Sequence, residues 1–372
     1  MPRLAHDEIL RWLRETDSRA LHGLFARADR VRREHVGDAV HLRGLIEISS
    51  FCGRHCHYCG LRASRHIERY RMSSSEILSA AHQAVRLGFG SVVLQAGEDF
   101  GLRLAWLAEV IRSIKQETPL AVTLSLGERR PEELLAWREA GADRYLLRFE
   151  TSDRALYEAI HPSRGTAAGD RIGQLLLMRK MGYEIGSGIM VGIPGQTCEM
   201  VGRDIELFEK LDLDMIGIGP FLAHPDTPLG VSDAPMASED QVPSTEKMVL
   251  KTMALARIVC PDANLPATTA LATLNATNGR ENGLESGGNV FMPVLTPFPY
   301  RQMYEIYPGK ICVDENATQC NLCLRARIQG MGRLVGQGPG GRGTVPRYAS
   351  QPGFASSGIS AERASPLTVL PS

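Results

Sequence analysis

Hydrophobic and polar positions along the chain alternate between a period typical of strands and a period typical of helices. Short apolar runs predict eight strands, and stretches with apolar residues three or four apart predict helices between most of them. The predicted strands are 42–48, 91–95, 120–125, 143–149, 184–191, 213–218, 264–269 and 288–292. Eight such units close most simply into a parallel (β/α)8 TIM-type barrel. An open doubly wound sheet is the competing arrangement, but no G-x-G-x-x-G follows the first predicted strand.

The segments on either side of the predicted barrel have other patterns. Residues 6–35 predict one helix, with Leu13, Leu24 and Val31 among its buried positions. Gly, Pro and Ser dominate the C-terminal end, where apolar periodicity vanishes, so we expect a flexible tail there. The predicted divisions are an N-terminal helical segment (1–41), the barrel (42–297), a C-terminal extension with cysteines (298–335) and the tail (336–372).

Composition and charge narrow the class of protein. The 372 residues include 42 Lys plus Arg and 42 Asp plus Glu, so no net field attracts nucleic acid or an anionic membrane. No apolar run is long enough to span a bilayer, and the first residues do not resemble a secretion signal, so we expect a cytoplasmic protein. Most of the eight cysteines fall into two tight groups, which favours metal ligation over disulfides.

The first cysteine group follows the first predicted strand directly. Cys52, Cys56 and Cys59 form C-x3-C-x2-C. Three thiolates can ligate three irons of a cubane 4Fe-4S cluster and leave the fourth iron open to a small chelating ligand. A structural zinc loop with a distant fourth ligand is the alternative, and the nearby His55 and His57 keep it open. The spacing, the place at a strand end and the barrel pattern together favour the cluster.

This cysteine group resembles the motif of radical S-adenosylmethionine (SAM) enzymes. The resemblance implies that SAM chelates the open iron and that an electron from the cluster cleaves SAM to a 5′-deoxyadenosyl radical. It also implies that Tyr58 lies near the adenine. Gly97 and Glu98, at the end of the second predicted strand, match a motif that binds the SAM amino group. An ordinary loop in which Asp99 caps a helix is the alternative for this pair.

Further candidate site residues lie near the ends of later predicted strands. Arg148 and Glu150 are two apart, so both side chains leave the same face of the fourth strand. On the barrel interior, such a pair needs each other or a ligand such as SAM or a zwitterionic substrate; at the rim it would be a structural ion pair. Arg171 could reach the SAM carboxylate or lie in solvent. Thr268 and Thr269 end the seventh predicted strand, where alternation directs only one of them inward.

A second cysteine group lies in the C-terminal extension. Cys312, Cys320 and Cys323 form C-x7-C-x2-C, which predicts a second iron-sulfur cluster, 2Fe-2S or 4Fe-4S. A zinc site completed by water or histidine is the alternative. His224 follows the sixth predicted strand, and the sequence leaves open whether it faces a ligand or packs the loop.

Beyond the cysteines, residues 42 to 325 resemble the HydE family of FeFe-hydrogenase maturases. The stretches that carry this resemblance are 70–72, 93–99, 122–128, 143–148, 217–229, 265–269, 300–302 and 307–312. The resemblance implies assembly of the hydrogenase diiron subcluster, by radical attack on the cysteine sulfur of an iron complex that bears carbon monoxide and cyanide. It also implies an external electron donor, such as a flavodoxin or ferredoxin, and other hydrogenase maturases as partners. Residues that match the family's substrate pocket are Arg148, Thr268, Thr269, Met292 and Tyr304.

Three other functions compete with this interpretation. Biotin synthase needs cysteines on inward barrel strands, and predicted strands two to five contain none. Methylornithine synthase is the main alternative, against which the second cysteine group and residues 265–269 favour the maturase. A non-catalytic iron-sulfur scaffold would not need the Gly97-Glu98 and Arg148/Glu150 features.

Overall fold

The computed structural model describes residues 4–162, 170–231, 240–311 and 317–342. The strands are β1 (Ala39–Ser49), β2 (Ser91–Ala96), β3 (Ala121–Ser125), β4 (Arg144–Leu146), β5 (Glu184–Val191), β6 (Met215–Pro220), β7 (Val290–Phe291) and β8 (Leu334–Val335). The helices are α1 (His6–Arg14), α2 (Ser18–Val36), α3 (Ser74–Arg86), α4 (Leu104–Glu117), α5 (Pro131–Glu139), α6 (Arg154–Ile160), α7 (Arg171–Lys180), α8 (Cys198–Lys210), α9 (Glu246–Val259), α10 (Thr269–Leu274), α11 (Gly279–Glu285), α12 (Phe298–Gln302) and α13 (Ala317–Gly330). None of the helices in these ranges is both long enough and apolar enough to cross a bilayer.

The strands form one curled parallel sheet in the order β6-β5-β4-β3-β2-β1-β7, with β8 beside β1. The strands are joined in parallel along this whole order, and apolar side chains from the strands and the surrounding helices form the main core. Between the two ends of the sheet, Asn264 bridges to Met215 and Pro266 bridges to Val290, so the segment between β6 and β7 links them. The predicted parallel α/β barrel is therefore confirmed.

The predicted seventh strand, residues 264–269, differs most from the structure because it makes only single bridges. Pro266 has no N–H to donate to a ladder. The side-chain oxygen of Asn289 accepts the N–H of Leu265 at 2.8 Å, which directs another backbone donor away from strand pairing. Thr268 then caps α10, so the chain enters a helix where a strand was predicted.

The predicted N-terminal helix over residues 6–35 is two helices, α1 and α2. The carboxylate of Glu15 accepts the N–H groups of Thr16 and Asp17, both at 2.8 Å. Asp17 then caps α2 by accepting the N–H of Ala20 at 2.8 Å. These bonds satisfy the backbone in a turn, and the turn lets α1 pack against α8 while α2 packs against α9.

Residues 336–342, which we call the plug, lie against the N-terminal ends of the barrel strands. The guanidinium of Arg342 donates to Asp212 at 2.6 Å and to Asp214 at 3.2 Å, directly before β6. The compact unit that contains the barrel extends to Arg342. This part of the predicted flexible tail is therefore bonded to the barrel, because its carbonyl groups and Arg342 have partners there; residues 343–372 lie outside the described residues.

Candidate active site

The loop after β1 carries the first cysteine group to the C-terminal ends of the strands. Cys56 is buried, and Cys52 and Cys59 are partly exposed. A Cβ atom on Gly97 would lie 2.5 Å from the Cβ of Cys52 and 2.7 Å from the carbonyl oxygen of Phe51. Position 97 must therefore be glycine for the cysteine loop to approach the end of β2 this closely.

The three thiols of this loop influence one another electrostatically. Burial raises the pKa of Cys56 to about 12, and the charge of Cys52 adds to this effect. Burial and the charge of Cys56 also raise the pKa of Cys59. A metal binds cysteines as thiolates, so these raised pKa values require a cationic centre that stabilises the deprotonated form, which iron supplies. The donor set fits an iron-sulfur cluster, although no three Cys, His, Asp or Glu side chains of the described ranges are turned toward one metal position.

Two arginines and two glutamates form a charge network beside the cysteine loop. Arg171 lies 2.9 Å from Glu128 and 3.4 Å from Glu98. Arg54 lies 3.7 Å from Glu98 and 3.6 Å from Glu128. Burial lowers the pKa of Arg171, but the charges of Tyr157, Glu128 and Glu98 outweigh this effect and hold the pKa above its usual value. The network therefore keeps a charged guanidinium largely buried next to the cysteines.

Arg54 and Glu128 were not among the predicted site residues. Glu128 follows β3 just as Glu98 follows β2 and Glu150 follows β4, so an acidic residue after each of three neighbouring strands was the available signal. A Cβ atom on Gly127 would lie 2.1 Å from Cγ of Glu98. A glycine at this position therefore leaves room for Glu98 to reach the network.

A cavity of about 270 Å³ lies inside the barrel next to this network. The predicted site residues that line it are Arg148, Glu150, Arg171, Thr268, Thr269 and Met292. Arg171 belongs both to the cavity wall and to the charge network, and its charge acts on the thiol of Cys56. The cysteine loop and the cavity are therefore neighbours.

Arg148 and Glu150 lie past the end of β4 and pair with each other, with Nη2 of Arg148 and Oε2 of Glu150 3.0 Å apart. Arg148 also donates to the carbonyl of Ile189 at 2.5 Å, and its own carbonyl accepts from Arg171 at 2.7 Å. Glu150 has φ of +64°, a conformation that costs energy outside glycine and is frequent at functional sites. Its N–H donates to the carbonyl of Gly188 at 3.0 Å, which holds this backbone in place.

Both Thr268 and Thr269 line the cavity, whereas strand alternation predicted that only one would point inward. The reason is that the chain begins a helix here, and successive helical residues do not alternate between opposite faces. The hydroxyl of Thr268 accepts the N–H of Leu271 at 3.2 Å and so caps α10. Thr268 therefore has a structural contact in addition to its place on the cavity wall.

Comparison with known proteins identifies the family. Residues 46–208 match the Radical SAM superfamily. The chain is 46% identical over 323 residues to the FeFe hydrogenase maturase subunit HydE of Thermotoga maritima, which covers 87% of this chain and 89% of that protein. The chain belongs to the HydE family of radical SAM enzymes. It is therefore an enzyme of a family that implies a 4Fe-4S cluster and SAM, and the zinc alternative for the first cysteine group has no support.

Two more distant relatives share the fold of the HydE family. The 3-methylornithine synthase of Methanosarcina acetivorans is 27% identical over 294 residues, which cover 78% of this chain and 80% of that protein. A crystal structure of methylornithine synthase superposes with a TM-score of 0.77 at 24% identity, covering 90% of this chain and 95% of that chain. The higher identity to HydE favours the maturase family over this alternative.

Two aromatic residues among the predicted site residues, Tyr304 for the substrate pocket and Tyr58 for the adenine of SAM, do not line the cavity. Tyr304 is buried, and its hydroxyl accepts from Gln95, a residue that does line the cavity, at 3.2 Å. Tyr307 lines the cavity where Tyr304 was predicted. Tyr58 hydrogen bonds through its hydroxyl to Nε2 of His161 at 3.0 Å. Burial lowers the pKa of His161 well below its usual value, so the Tyr58 hydroxyl meets a neutral imidazole.

His224 packs the loop after β6 and does not line the cavity. Its Nδ1 accepts the N–H of Asp226 at 3.1 Å, and its Nε2 lies 3.1 Å from Glu305. Its backbone N–H donates to the carbonyl of Tyr58 at 2.9 Å. The histidine therefore joins this loop to the cysteine loop and to the C-terminal extension.

The second cysteine group is only partly within the described residues. Cys320 and Cys323 are one turn apart on α13, and Cys320 is buried while Cys323 is exposed. Cys312 lies outside the described residues. None of the described cysteines forms a disulfide. Two thiols one helical turn apart can share a metal centre. Because the third predicted ligand lies outside the described residues, the second cluster stays a prediction.

Proposed function

We propose that this chain is a maturase of FeFe hydrogenase, which cleaves SAM and directs the radical at a cysteine-bearing iron complex. Its similarity to HydE of Thermotoga maritima supports this function. The observation that carries the proposal is the double placement of Arg171, in the cavity wall and beside the cysteine loop. Because the two regions adjoin, a radical formed at the loop meets a substrate in the cavity without crossing solvent.

The cysteine loop is the proposed cluster site. Cys52, Cys56 and Cys59 would hold a 4Fe-4S cluster as thiolates, and Gly97 keeps their loop against β2. The bound cluster supplies the electron that breaks the sulfonium bond of SAM. An external donor such as a flavodoxin or ferredoxin is the proposed source of that electron.

SAM is proposed to lie between the cysteine loop and the cavity. The residues assigned to it are Tyr58, Gly97, Glu98, Glu150 and Arg171. Glu98 and Arg171 hold each other at 3.4 Å, so both charged groups are in place before SAM binds. Oε2 of Glu150 is buried and makes no well-aligned hydrogen bond in the described residues, although Arg148 is near. It is therefore suited to accept from the SAM ammonium.

The proposed substrate is an iron complex that bears carbon monoxide, cyanide and cysteine. Arg148 suits its anionic ligands, because Nε of this guanidinium is buried without a hydrogen-bond partner in the described residues. Thr268, Thr269 and Met292 would form the adjoining wall. Tyr304 is proposed to act through Gln95, to which it is hydrogen bonded, because its ring does not line the cavity.

A second iron-sulfur cluster, 2Fe-2S or 4Fe-4S, is proposed at Cys312, Cys320 and Cys323. Iron and sulfide content per chain tests it after anaerobic reconstitution. The Cys323→Ala variant should lose the iron of this cluster and keep that of the first. Unchanged iron content in the variant would contradict the assignment.

The proposed function is tested in two stages. Protein reconstituted anaerobically with iron and sulfide is given SAM and dithionite, and 5′-deoxyadenosine is measured. The chain is then expressed with a hydrogenase and the other maturases in a host that lacks HydE, and hydrogen evolution is measured. Cleavage without hydrogenase activity would favour a methylornithine-synthase-like reaction. No cleavage by cluster-loaded protein would favour a non-catalytic scaffold.

A further inference from the structure

A row of polar side chains crosses three neighbouring strands at one level of the cavity wall. Glu47 on β1 is the register partner of Gln95 on β2, and Gln95 is the register partner of Ser125 on β3. All three residues line the cavity. Branched apolar side chains usually fill the interior layers of such barrels, so a polar row costs desolvation unless it has partners.

The ammonium of Lys310 enters this row from the C-terminal extension. Its Nζ donates to the carboxylate of Glu47 and, at 3.2 Å, to the carbonyl of Tyr304. The Glu47 side chain is only 1% exposed and that of Lys310 only 5%. The other carboxylate oxygen of Glu47 accepts the hydroxyl of Thr296 at 3.2 Å. An ion pair this deeply buried contributes little net stability, so stability alone does not account for it.

The row presents donors and acceptors to the cavity at the same place. An ammonium has three N–H groups, and the two described partners of Lys310 leave the third for a ligand. Gln95 donates through Nε2 to Tyr304, which leaves its Oε1 as an acceptor. A cationic donor beside a carboxylate and an amide oxygen matches a zwitterion, whose carboxylate and ammonium lie next to each other.

We propose that Lys310, Glu47 and Gln95 bind the α-amino-acid head group of the substrate. Lys310 donates to the carboxylate of that head group, and Glu47 and Gln95 accept from its ammonium. The inference rests on the proposed function, in which the substrate carries a cysteine. Arg148 lies past the end of β4, three strands from β1 in the sheet order, and so remains for the anionic ligands of the iron.

Two small probes isolate the carboxylate contact. S-methyl-L-cysteine has the complete head group, and 2-(methylthio)ethylamine lacks the carboxylate. Binding of each to cluster-loaded, SAM-bound protein is measured by anaerobic titration calorimetry. The wild type should bind the first probe roughly tenfold or more tightly, because a hydrogen bond between charged groups contributes that much. Lys310→Met should remove this preference, and Lys310→Arg should restore part of it.

Two further variants show whether the effect belongs to the site. Gln95→Met should weaken both probes equally, because it removes an acceptor for the ammonium that they share. Lys251→Met is the matched control: this lysine is also buried, but it bonds to the carbonyls of Leu13 and Glu15 outside the cavity. Its preference for the carboxylate should equal that of the wild type, and Gln95→Met keeps the test decisive if Lys310→Met does not fold.

Several outcomes would overturn the inference. They are a carboxylate preference that persists in Lys310→Met, a wild type without that preference, and a wild type that binds neither probe. SAM carries the same head group, so its binding is followed by the change it causes in the electron paramagnetic resonance of the reduced cluster. A loss confined to SAM binding would assign the contact to SAM and also overturn the inference. These measurements need neither a radical nor a hydrogenase, so failure of the proposed function is seen separately.

Discussion

The two ends of the barrel both hold largely buried arginines but place them against different surroundings. At the N-terminal end, Arg43 donates to a carbonyl of the plug at 2.9 Å, and Arg144 donates to another at 3.1 Å. At the C-terminal end, Arg148 and Arg171 line a cavity of about 270 Å³. Arginine side chains therefore bind a segment of the protein itself at one end of the barrel and line a space for a ligand at the other.

Backbone contacts make the closed end tight. A Cβ atom on Gly90 would lie 1.6 Å from the carbonyl oxygen of Gly338 in the plug, so no side chain fits at position 90. Burial, with the charge of Arg144 nearby, lowers the pKa of Arg43 to about 9, because the charged guanidinium is less stable here than in water. Residues at this end of an α/β barrel serve stability, and residues at the other end serve chemistry. Substitutions at the two ends should therefore have separable effects.

The largest expected effect is at the open end. Cys56→Ala should reduce 5′-deoxyadenosine formation to background, because the proposed cluster loses one of its three ligands. The measurement is product formation by anaerobically reconstituted protein. Cys260→Ala, a change at a buried cysteine outside both groups, should keep full activity. SAM cleavage by Cys56→Ala at the wild-type rate would show that this cysteine is not a cluster ligand.

The next effect is on stability at the open end. Arg171→Met removes one of the two arginines that pair with the buried carboxylates of Glu98 and Glu128, so the free energy of unfolding should fall by about 3–5 kcal/mol. Urea denaturation measures this change. Arg154→Met breaks an exposed pair with Glu158 and should cost less than about 1 kcal/mol. Equal losses in the two variants would mean that the network is not a buried, mutually dependent unit.

A smaller effect is expected at the closed end. Arg342→Ala removes the contacts with Asp212 and Asp214 and should lower the free energy of unfolding by about 2 kcal/mol. SAM cleavage by the folded variant should match the wild type, because the plug lies away from the cavity. Activity that falls while the urea midpoint is unchanged would show that the closed end contributes to the chemistry.

The last prediction concerns a dependence on pH and not a loss at one pH. Asp204 on α8 accepts the N–H of Ser152 at 2.6 Å and so anchors the chain just past Glu150. Burial raises the pKa of Asp204 from 3.8 to about 7. Between these pH values the folded state keeps a proton that the unfolded state loses, so this group makes stability fall as pH rises. Asp204→Asn keeps an acceptor for Ser152 but cannot titrate. Its urea midpoint should fall less across this pH window; parallel curves would contradict the shifted pKa.

Patterns within short stretches of sequence predicted much of the fold and part of the candidate site. Period and spacing predicted the barrel, the cysteine loop and the Arg148/Glu150 pair, because each depends on residues close together in the chain. The missed features depend on distant residues. Glu47 and Lys310 are 263 positions apart, and no local pattern relates an acidic residue on β1 to a lysine after α12.

The sequence by itself determined the parallel barrel, the position of the three cysteines after its first strand and the acidic residues after β2, β3 and β4. Only the tertiary structure decided which charges face one another and which face the cavity. It also decided that the start of the glycine-rich tail closes the barrel, and that Thr268 and Thr269 begin a helix. Periodicity records which face of an element is buried, whereas the partner of a buried charge depends on how distant elements pack.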